Sequence, residues 1–279
     1  SGSSAATVAT VGKMSIPELR KRKYPEKLLL GSLAGSGTLG LLIPPSIILI
    51  IYGVTIEDSI AKLFMAGILP GIMIALMFML YVILWSILNK RLMPKSNESF
   101  SFLEKIQGSK QLLPVIFLIT AVISSIYTGI ATATEAASLG VVGALILSFF
   151  QGTLNRKTFK LSLLGATKTS CMIAFILAGS TFLSLAMGFT GLPRNLAIWI
   201  DAMNLSPYTL LFVLTIFYII LGMFLDGISA VVLTMAIIEP MIRQAGFDMI
   251  WFGIYLVIVV EMAQITPPVG FNLFVLQGM

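Results

Sequence analysis

Residues 35–53 read Gly35-Ser-Gly-Thr-Leu-Gly-Leu-Leu-Ile-Pro-Pro-Ser-Ile-Ile-Leu-Ile-Ile-Tyr-Gly53, an apolar run of membrane length that carries four glycines and the pair Pro44-Pro45. A proline removes a backbone N–H and clashes with the preceding helical turn, and the residue before it is pushed out of the α region. A helix through this run therefore breaks near mid-membrane. Broken backbone in hydrocarbon is tolerated only where protein covers it or where it lines a cavity for water, ions or a solute. The stretch points to a binding site inside a bilayer, with an ordinary proline kink as the plainer alternative.

A second copy favours the site. Residues 261–274, Glu261-Met-Ala-Gln-Ile-Thr-Pro-Pro-Val-Gly-Phe-Asn-Leu-Phe274, repeat the device with Pro267-Pro268. Each copy is preceded by a polar Gly/Ser stretch and a short apolar segment: Ser1–Thr7 before the first, Asp226–Val232 before the second. Gly2 to Gly227 and Ser4 to Ser229 are each 225 positions apart, and Pro44 to Pro267 is 223. Two units share one plan. Paired Gly/Pro-interrupted membrane segments in corresponding halves are a sequence pointer to the midplane site of a secondary transporter.

Composition sets the class. Apolar residues make up 57% of the 279, charged residues 11%, and mean hydropathy is +1.00, far from the balance of a soluble domain. The expectation is an all-α polytopic membrane protein. One cysteine and no histidine exclude a disulfide framework, a Cys/His metal site and histidine-based catalysis. Cys171 sits among apolar neighbours in sequence and is expected to be inert packing. The chain opens on Ser1 and ends within an apolar run at Met279, which suggests a fragment whose first repeat began earlier.

In order, residues 8–18 read as the outgoing limb of a re-entrant hairpin, followed by a basic run and the broken segment 28–53. An amphipathic piece (55–64) leads to a span at 66–88. A basic loop (89–111), spans at 112–129 and 133–150, a second basic loop (155–168) and a span at 169–189 follow. Residues 190–205 read as an interfacial connector. The limb 206–225, the tip Asp226–Ser229 and the return limb 230–242 make a second hairpin, and 250–277 holds the second break. On this frame residues 1–53 end a first repeat and 54–111 add a span and a loop. Residues 112–189 supply scaffold or arm spans, and 190–279 form the second hairpin with its broken helix.

Charge placement gives an independent topology. If 28–53 crosses outward, the connections 13–27, 89–111 and 151–168 lie on one side, and they hold six, five and four Lys and Arg, 15 of the 18. Only Lys62, Arg194 and Arg243 lie elsewhere. By the positive-inside rule that side is the cytoplasm, so the two hairpins would enter from opposite faces as an inverted repeat. The net charge of +6 then reflects topology and anionic lipid headgroups, and no nucleic-acid partner is implied.

Ionisable groups within spans are usually functional. Asp226, at the second tip, either helps hold a cation or caps the limb beginning at Gly227. Glu261 balances a cation, hydrogen-bonds the unwound backbone, or makes an interior polar contact that fixes helix packing. Glu135, at a span start, is expected to be structural, and Glu239 to lie near the outer surface. A hard cation such as Na⁺ takes several oxygens, which unwound carbonyls and Ser/Thr hydroxyls supply. A first sodium site would comprise Ser1, Gly2, Ser3 and Ser4 facing Gly37, Thr38, Gly40 and Pro44. A second would comprise Asp226, Gly227 and Ser229 facing Thr266, Pro267, Val269, Gly270 and Asn272. An anionic substrate would lie between them, near half-helix N-termini, with Ser3, Thr38, Pro45, Ser229 and Thr266 as its contacts. No organic cofactor and no catalytic residue is expected.

The segments Ser-Gly-Ser-Ser-Ala (1–5), Gly-Thr-Leu-Gly-Leu-Leu-Ile-Pro-Pro-Ser (37–46), Leu-Phe-Met-Ala-Gly-Ile-Leu-Pro-Gly (63–71), Thr-Glu-Ala-Ala (134–137) and Ile-Thr-Pro-Pro-Val-Gly-Phe-Asn-Leu-Phe (265–274) resemble, in this order, the large membrane subunit of TRAP transporters, the tripartite ATP-independent periplasmic transporters. The resemblance covers the whole chain. It implies an elevator-type carrier in a bacterial or archaeal cytoplasmic (inner) membrane, in which sodium drives uptake of an organic acid. Its implied partners are a periplasmic substrate-binding protein, a small TRAP membrane subunit and the lipid bilayer. Two other classes stand beside it: a sodium/anion symporter that needs no binding protein, and, more remotely, an intramembrane enzyme or channel.

Overall fold

The computed structural model describes residues 4–94, 112–203, 205–268 and 270–279, and among these it contains helices and no strand. The helices are α1 (Ser4–Lys21), α2 (Glu26–Leu42), α3 (Ile47–Thr55), α4 (Ile60–Leu88), α5 (Leu113–Tyr127), α6 (Ala133–Phe150), α7 (Arg156–Thr190), α8 (Leu192–Ala202), α9 (Pro207–Gly222), α10 (Gly227–Gln244), α11 (Met249–Gln264) and α12 (Phe271–Gln277). Among the described residues seven start on a short polar side chain that accepts a first-turn N–H: Ser46, Ser59, Thr132, Asn155, Ser206, Asp226 and Asp248. Such caps satisfy donors that a helix cannot satisfy for itself.

Helices α4, α6, α7 and α10 are each long and apolar enough to cross a membrane, and α2 with α3 qualifies as one span bent by 42°. Only 6% of the apolar window is buried in α4, α6 and α7, against 50% in α10. The first three turn apolar side chains outward, as a lipid-facing helix does. Helix α10 is an inner element.

The chain forms two compact units: Ser1–Pro94 with Ile176–Met279, and Lys95–Phe175. The second contains α5 packed on α6, whose start is a capping box between Thr132 and Glu135. Glu135 is thus structural, as its place at a span start implied. Cys171 departs from expectation: it is exposed, because apolar sequence neighbours on a helix with an outward apolar face do not enclose it.

The first unit contains both interrupted helices. Helix α1 packs on α2 and on α12, while α10 packs on α11 and on α3. Each limb therefore lies against the first half of its own broken helix and the second half of the other. Helix α2 also packs on α11, and α4 on α2, α3 and α11. Val8, Ile16, Leu29, Leu33, Ala34 and Leu276 form one buried cluster of α1, α2 and α12. The hydroxyl of Ser180, in the part of α7 that belongs to this unit, donates to the Val232 carbonyl of α10 at 2.7 Å.

Several boundaries differ from the sequence expectation. Residues 4–7 are helical from Ser4 rather than a separate tip. No amphipathic piece stands at 55–64: α3 ends at Thr55 and α4 begins at Ile60, capped by Ser59. Helix α7 starts at Arg156, so much of the expected basic loop is helix. Its start is fixed by a reciprocal pair, Thr158 N–H to Asn155 Oδ1 and Asn155 N–H to Thr158 Oγ1, both 2.9 Å, the geometry of a capping box.

Candidate functional site

The first break follows directly from its prolines. Pro44 and Pro45 lack the N–H groups that would bond the carbonyls of Gly40 and Leu41. The Ser46 hydroxyl donates to the Leu41 carbonyl, and the same oxygen accepts the Leu49 N–H of α3 at 3.4 Å. One buried serine thus closes the end of α2 and opens α3. Gly37, Thr38 and Gly40 lie in the last turns of α2, at the C-terminal end of a half-helix. The Thr38 hydroxyl donates to the Gly35 carbonyl at 2.7 Å.

Helix α1 comes against α2 at Gly37, where a Cβ would stand 2.0 Å from the Val8 Cγ2 and 3.6 Å from the Ser4 carbonyl oxygen. Only glycine permits this approach. Of the first polar stretch, Ser4 thus lies beside Gly37. Ser1, Gly2 and Ser3 lie outside the described residues, as does Val269. Pro44 is buried in the break, and Pro45 is exposed.

At the second break α11 ends at Gln264, and Gly270, at φ 53°, precedes α12. Both prolyl pairs, Pro44-Pro45 and Pro267-Pro268, are joined by cis peptide bonds. The Thr266 N–H bonds the Ala263 carbonyl, and the Thr266 hydroxyl donates to the Met262 carbonyl at 2.6 Å. Gly270 lies over Thr266, with a Cβ position 3.4 Å from the Thr266 carbonyl oxygen. Asn272 is fully buried, and neither of its amide heavy atoms has a hydrogen-bond partner.

The tip of the second hairpin is a cap. Asp226 Oδ2 accepts the Ile228 and Ser229 N–H groups at 3.1 and 3.2 Å, and Oδ1 accepts the Ser229 hydroxyl at 2.5 Å. Of the two roles open to Asp226, capping is the one its geometry fills. Gly227 meets the end of α11: a Cβ there would stand 2.6 Å from Gln264 Nε2 and 3.0 Å from Val260 Cγ1. The other end of the same amide, Gln264 Oε1, accepts the Ser4 hydroxyl at 2.5 Å. Gln264, only 2% exposed, thus joins the start of one hairpin limb to the tip of the other.

The chain matches over residues 1–279 the family described as "Tripartite ATP-independent periplasmic transporter, DctM component". It belongs to that family. It is 33% identical over 276 residues to the C4-dicarboxylate TRAP transporter large permease protein DctM of Pseudomonas aeruginosa, covering 99% of this chain and 64% of the relative. It is 31% identical over 282 residues to the 2,3-diketo-L-gulonate TRAP transporter large permease protein YiaN of Escherichia coli, covering 100% of this chain and 65% of the relative. Against the isethionate TRAP transporter permease protein DctMQ of Oleidesulfovibrio alaskensis it is 32% identical over 282 residues, 100% of this chain and 44% of that protein. The chain thus spans less than two thirds of these relatives, and their names are those of permeases rather than enzymes.

Three of the hydroxyls named from sequence share one property. Thr38, Ser229 and Thr266 each spend their proton on an internal acceptor, so their oxygens face further partners as acceptors only. Asn272 differs, offering a donor and an acceptor together. Sequence reasoning missed Gln264 and Ser46. A glutamine at the end of an apolar helix, three residues before Pro267, marked the first, and a serine directly after a prolyl pair is an N-cap signal for the second.

Proposed function

We propose that this chain is the carrier part of a sodium-coupled secondary transporter that imports a carboxylate-bearing organic acid handed over by a periplasmic binding protein. What supports the reading most is the meeting of the two hairpins and both interrupted helices in one unit, with Gln264 between Ser4 and Gly227, in a member of the DctM family. The exchanged packing of limbs and half-helices, α1 on α12 and α10 on α3, is what an inverted repeat of two such units requires. The basic connections put the first hairpin on the cytoplasmic side of an inner membrane.

The residues fit a hard cation. Acceptor-only hydroxyls at Thr38, Ser229 and Thr266, the Gly40 carbonyl freed by Pro44, and the orphaned Asn272 Oδ1 are oxygens of the type sodium takes. One sodium position uses Ser1–Ser4 with Gly37, Thr38, Gly40 and Pro44. The other uses Asp226, Gly227 and Ser229 with Thr266, Pro267, Val269, Gly270 and Asn272. Sodium, when bound, supplies positive charge that offsets an anion. With those hydroxyls acting as acceptors, the Asn272 amide N–H is the donor best placed to add to the expected substrate contacts, Ser3, Thr38, Pro45, Ser229 and Thr266. The relatives named for C4-dicarboxylate and 2,3-diketo-L-gulonate transport point to small, oxygen-rich acids.

In this scheme the limbs and broken helices move as one block in an elevator motion, while the outward-facing apolar helices hold the bilayer. A small membrane subunit braces the assembly. The relative named DctMQ points to a version in which that subunit is fused.

The test is uptake of labelled organic acids into proteoliposomes holding the carrier and its small subunit, with and without an inward sodium gradient and the binding protein. The expected result is uptake only when both are present. Uptake that needs sodium alone would point to a stand-alone symporter, and uptake that ignores sodium would refute the coupling.

A further inference from the structure

The proposed sodium positions leave one buried acid unused. Glu261 lies on α11, 3% exposed, and its Oε1 has no hydrogen-bond partner. The other buried polar residues of this unit, Asn272 apart, are satisfied: Thr38, Ser46, Ser180 and Thr234 donate to backbone carbonyls, and Ser4 and Gln264 bond each other. Glu261 stands three residues before Gln264, on the same face of α11. A change of charge there is felt one turn from the residue that joins the two hairpins.

An unpaired buried carboxylate either meets a cation or becomes neutral. The elements packed on α11 offer few charges. Helix α2 carries Glu26 and Lys27 at its exposed start, with Glu26 bonded to Arg20. Helix α4 carries an exposed Lys62 and Tyr81. The Tyr52 hydroxyl of α3 donates to the Met249 carbonyl, and Tyr218 of α9 shares a bond with Thr234; Tyr208 of α9 is exposed. On α10 the cap Asp226 accepts the Ile228 and Ser229 N–H groups and the Ser229 hydroxyl, Glu239 pairs with Arg243, and α12 has no ionisable group. On α11 itself Tyr255 bonds the Leu211 carbonyl, and the cap Asp248 accepts the Trp251 N–H. Among the described residues no ion pair reaches Glu261. A metal ion takes several oxygens, and the neighbouring Met262 and Ala263 carbonyls already accept the Thr266 hydroxyl and N–H. A proton needs one.

We propose that Glu261 is a proton-carrying site, loaded and emptied as the hairpins change partners, so that a proton is coupled to transport beside sodium. A carboxylate oxygen takes the proton from hydronium, forming an O–H bond and releasing water, and returns it to water on the other face. The proposal rests on the carrier reading above.

Infrared difference spectroscopy of the purified carrier, titrated across pH, tests it without any need for transport. The expected result is a protonated-carboxyl carbonyl band that disappears in Glu261→Gln and shifts in Glu261→Asp. A wild-type spectrum without that band, or a band that persists in Glu261→Gln, overturns the proposal. In proteoliposomes with an internal pH dye, uptake is expected to acidify the lumen. It should fall by up to about tenfold per pH unit once the medium passes the pKa of the group, and Glu261→Gln should flatten that profile. Uptake without acidification contradicts the proposal. Acidifying uptake that needs no sodium supports it while refuting sodium coupling.

Discussion

The two breaks are built on the same prolyl pair, yet their polar chemistry differs. At the first, Ser46 joins the Leu41 carbonyl to the first turn of α3, and Thr38 bonds its own helix, so the buried side chains are satisfied from within. At the second, Glu261 and Asn272 are buried with unpartnered atoms, and the nearby Gln264 bonds across to the other hairpin. Unmet buried groups cost free energy unless something else meets them. The first break reads as a structural joint, and the second as the place where a ligand or a conformational change has most to gain.

Close approach is the first place to break this comparison. Gly37→Ala sets a methyl into the stiff Val8, and overpacking of this kind costs roughly 1–3 kcal/mol; a clear fall in the thermal midpoint in detergent is expected. Gly227→Ala presses on the longer Gln264 side chain, which can swing aside by giving up Ser4. It should destabilise less and disturb sodium-dependent uptake more. At the second break, Asn272→Leu removes an orphaned buried amide, whose burial costs about 1–3 kcal/mol. Stability should hold or rise while the sodium dependence of uptake weakens, a result that equilibrium unfolding and uptake read separately. At the first, Ser46→Ala loses a cap worth about 0.5–2 kcal/mol and should lower stability while the sodium concentration for half-maximal uptake stays in place. Smallest of all, Arg243→Ala breaks an exposed i,i+4 pair with Glu239 and should change the midpoint by the equivalent of about 0.3–0.5 kcal/mol.

Asp226 sharpens the same contrast. Asparagine caps a helix as well as aspartate does, so Asp226→Asn should keep the fold while removing the charge. Weaker sodium dependence in that variant would assign the carboxylate a part in the second cation position. An unchanged dependence would leave it a cap.

Much of the frame was legible because it rests on backbone chemistry. Pro44-Pro45 and Pro267-Pro268 could not continue a helix in either copy, and the apolar runs at 113–127 and 133–150 had the length and composition of helices. The family was carried by the residues around those prolines. What the sequence hid were relations across the chain. Ser4 and Gln264 are 260 positions apart, and nothing local marks them as partners. The backbone at Gly37–Gly40 stays helical up to the break because the two prolines release only the Gly40 and Leu41 carbonyls, leaving the preceding turns intact. The early start of α7 was hidden by its lysines and arginine, which read as loop until the Asn155–Thr158 cap is recognised.

Hydrogen–deuterium exchange of the reconstituted carrier, with and without sodium, compares the two breaks most directly. Sodium is expected to slow exchange across residues 261–275 more than across 38–50. Equal protection of the two segments, or stronger protection of the first, would contradict the assignment of the second break as the ligand-responsive one.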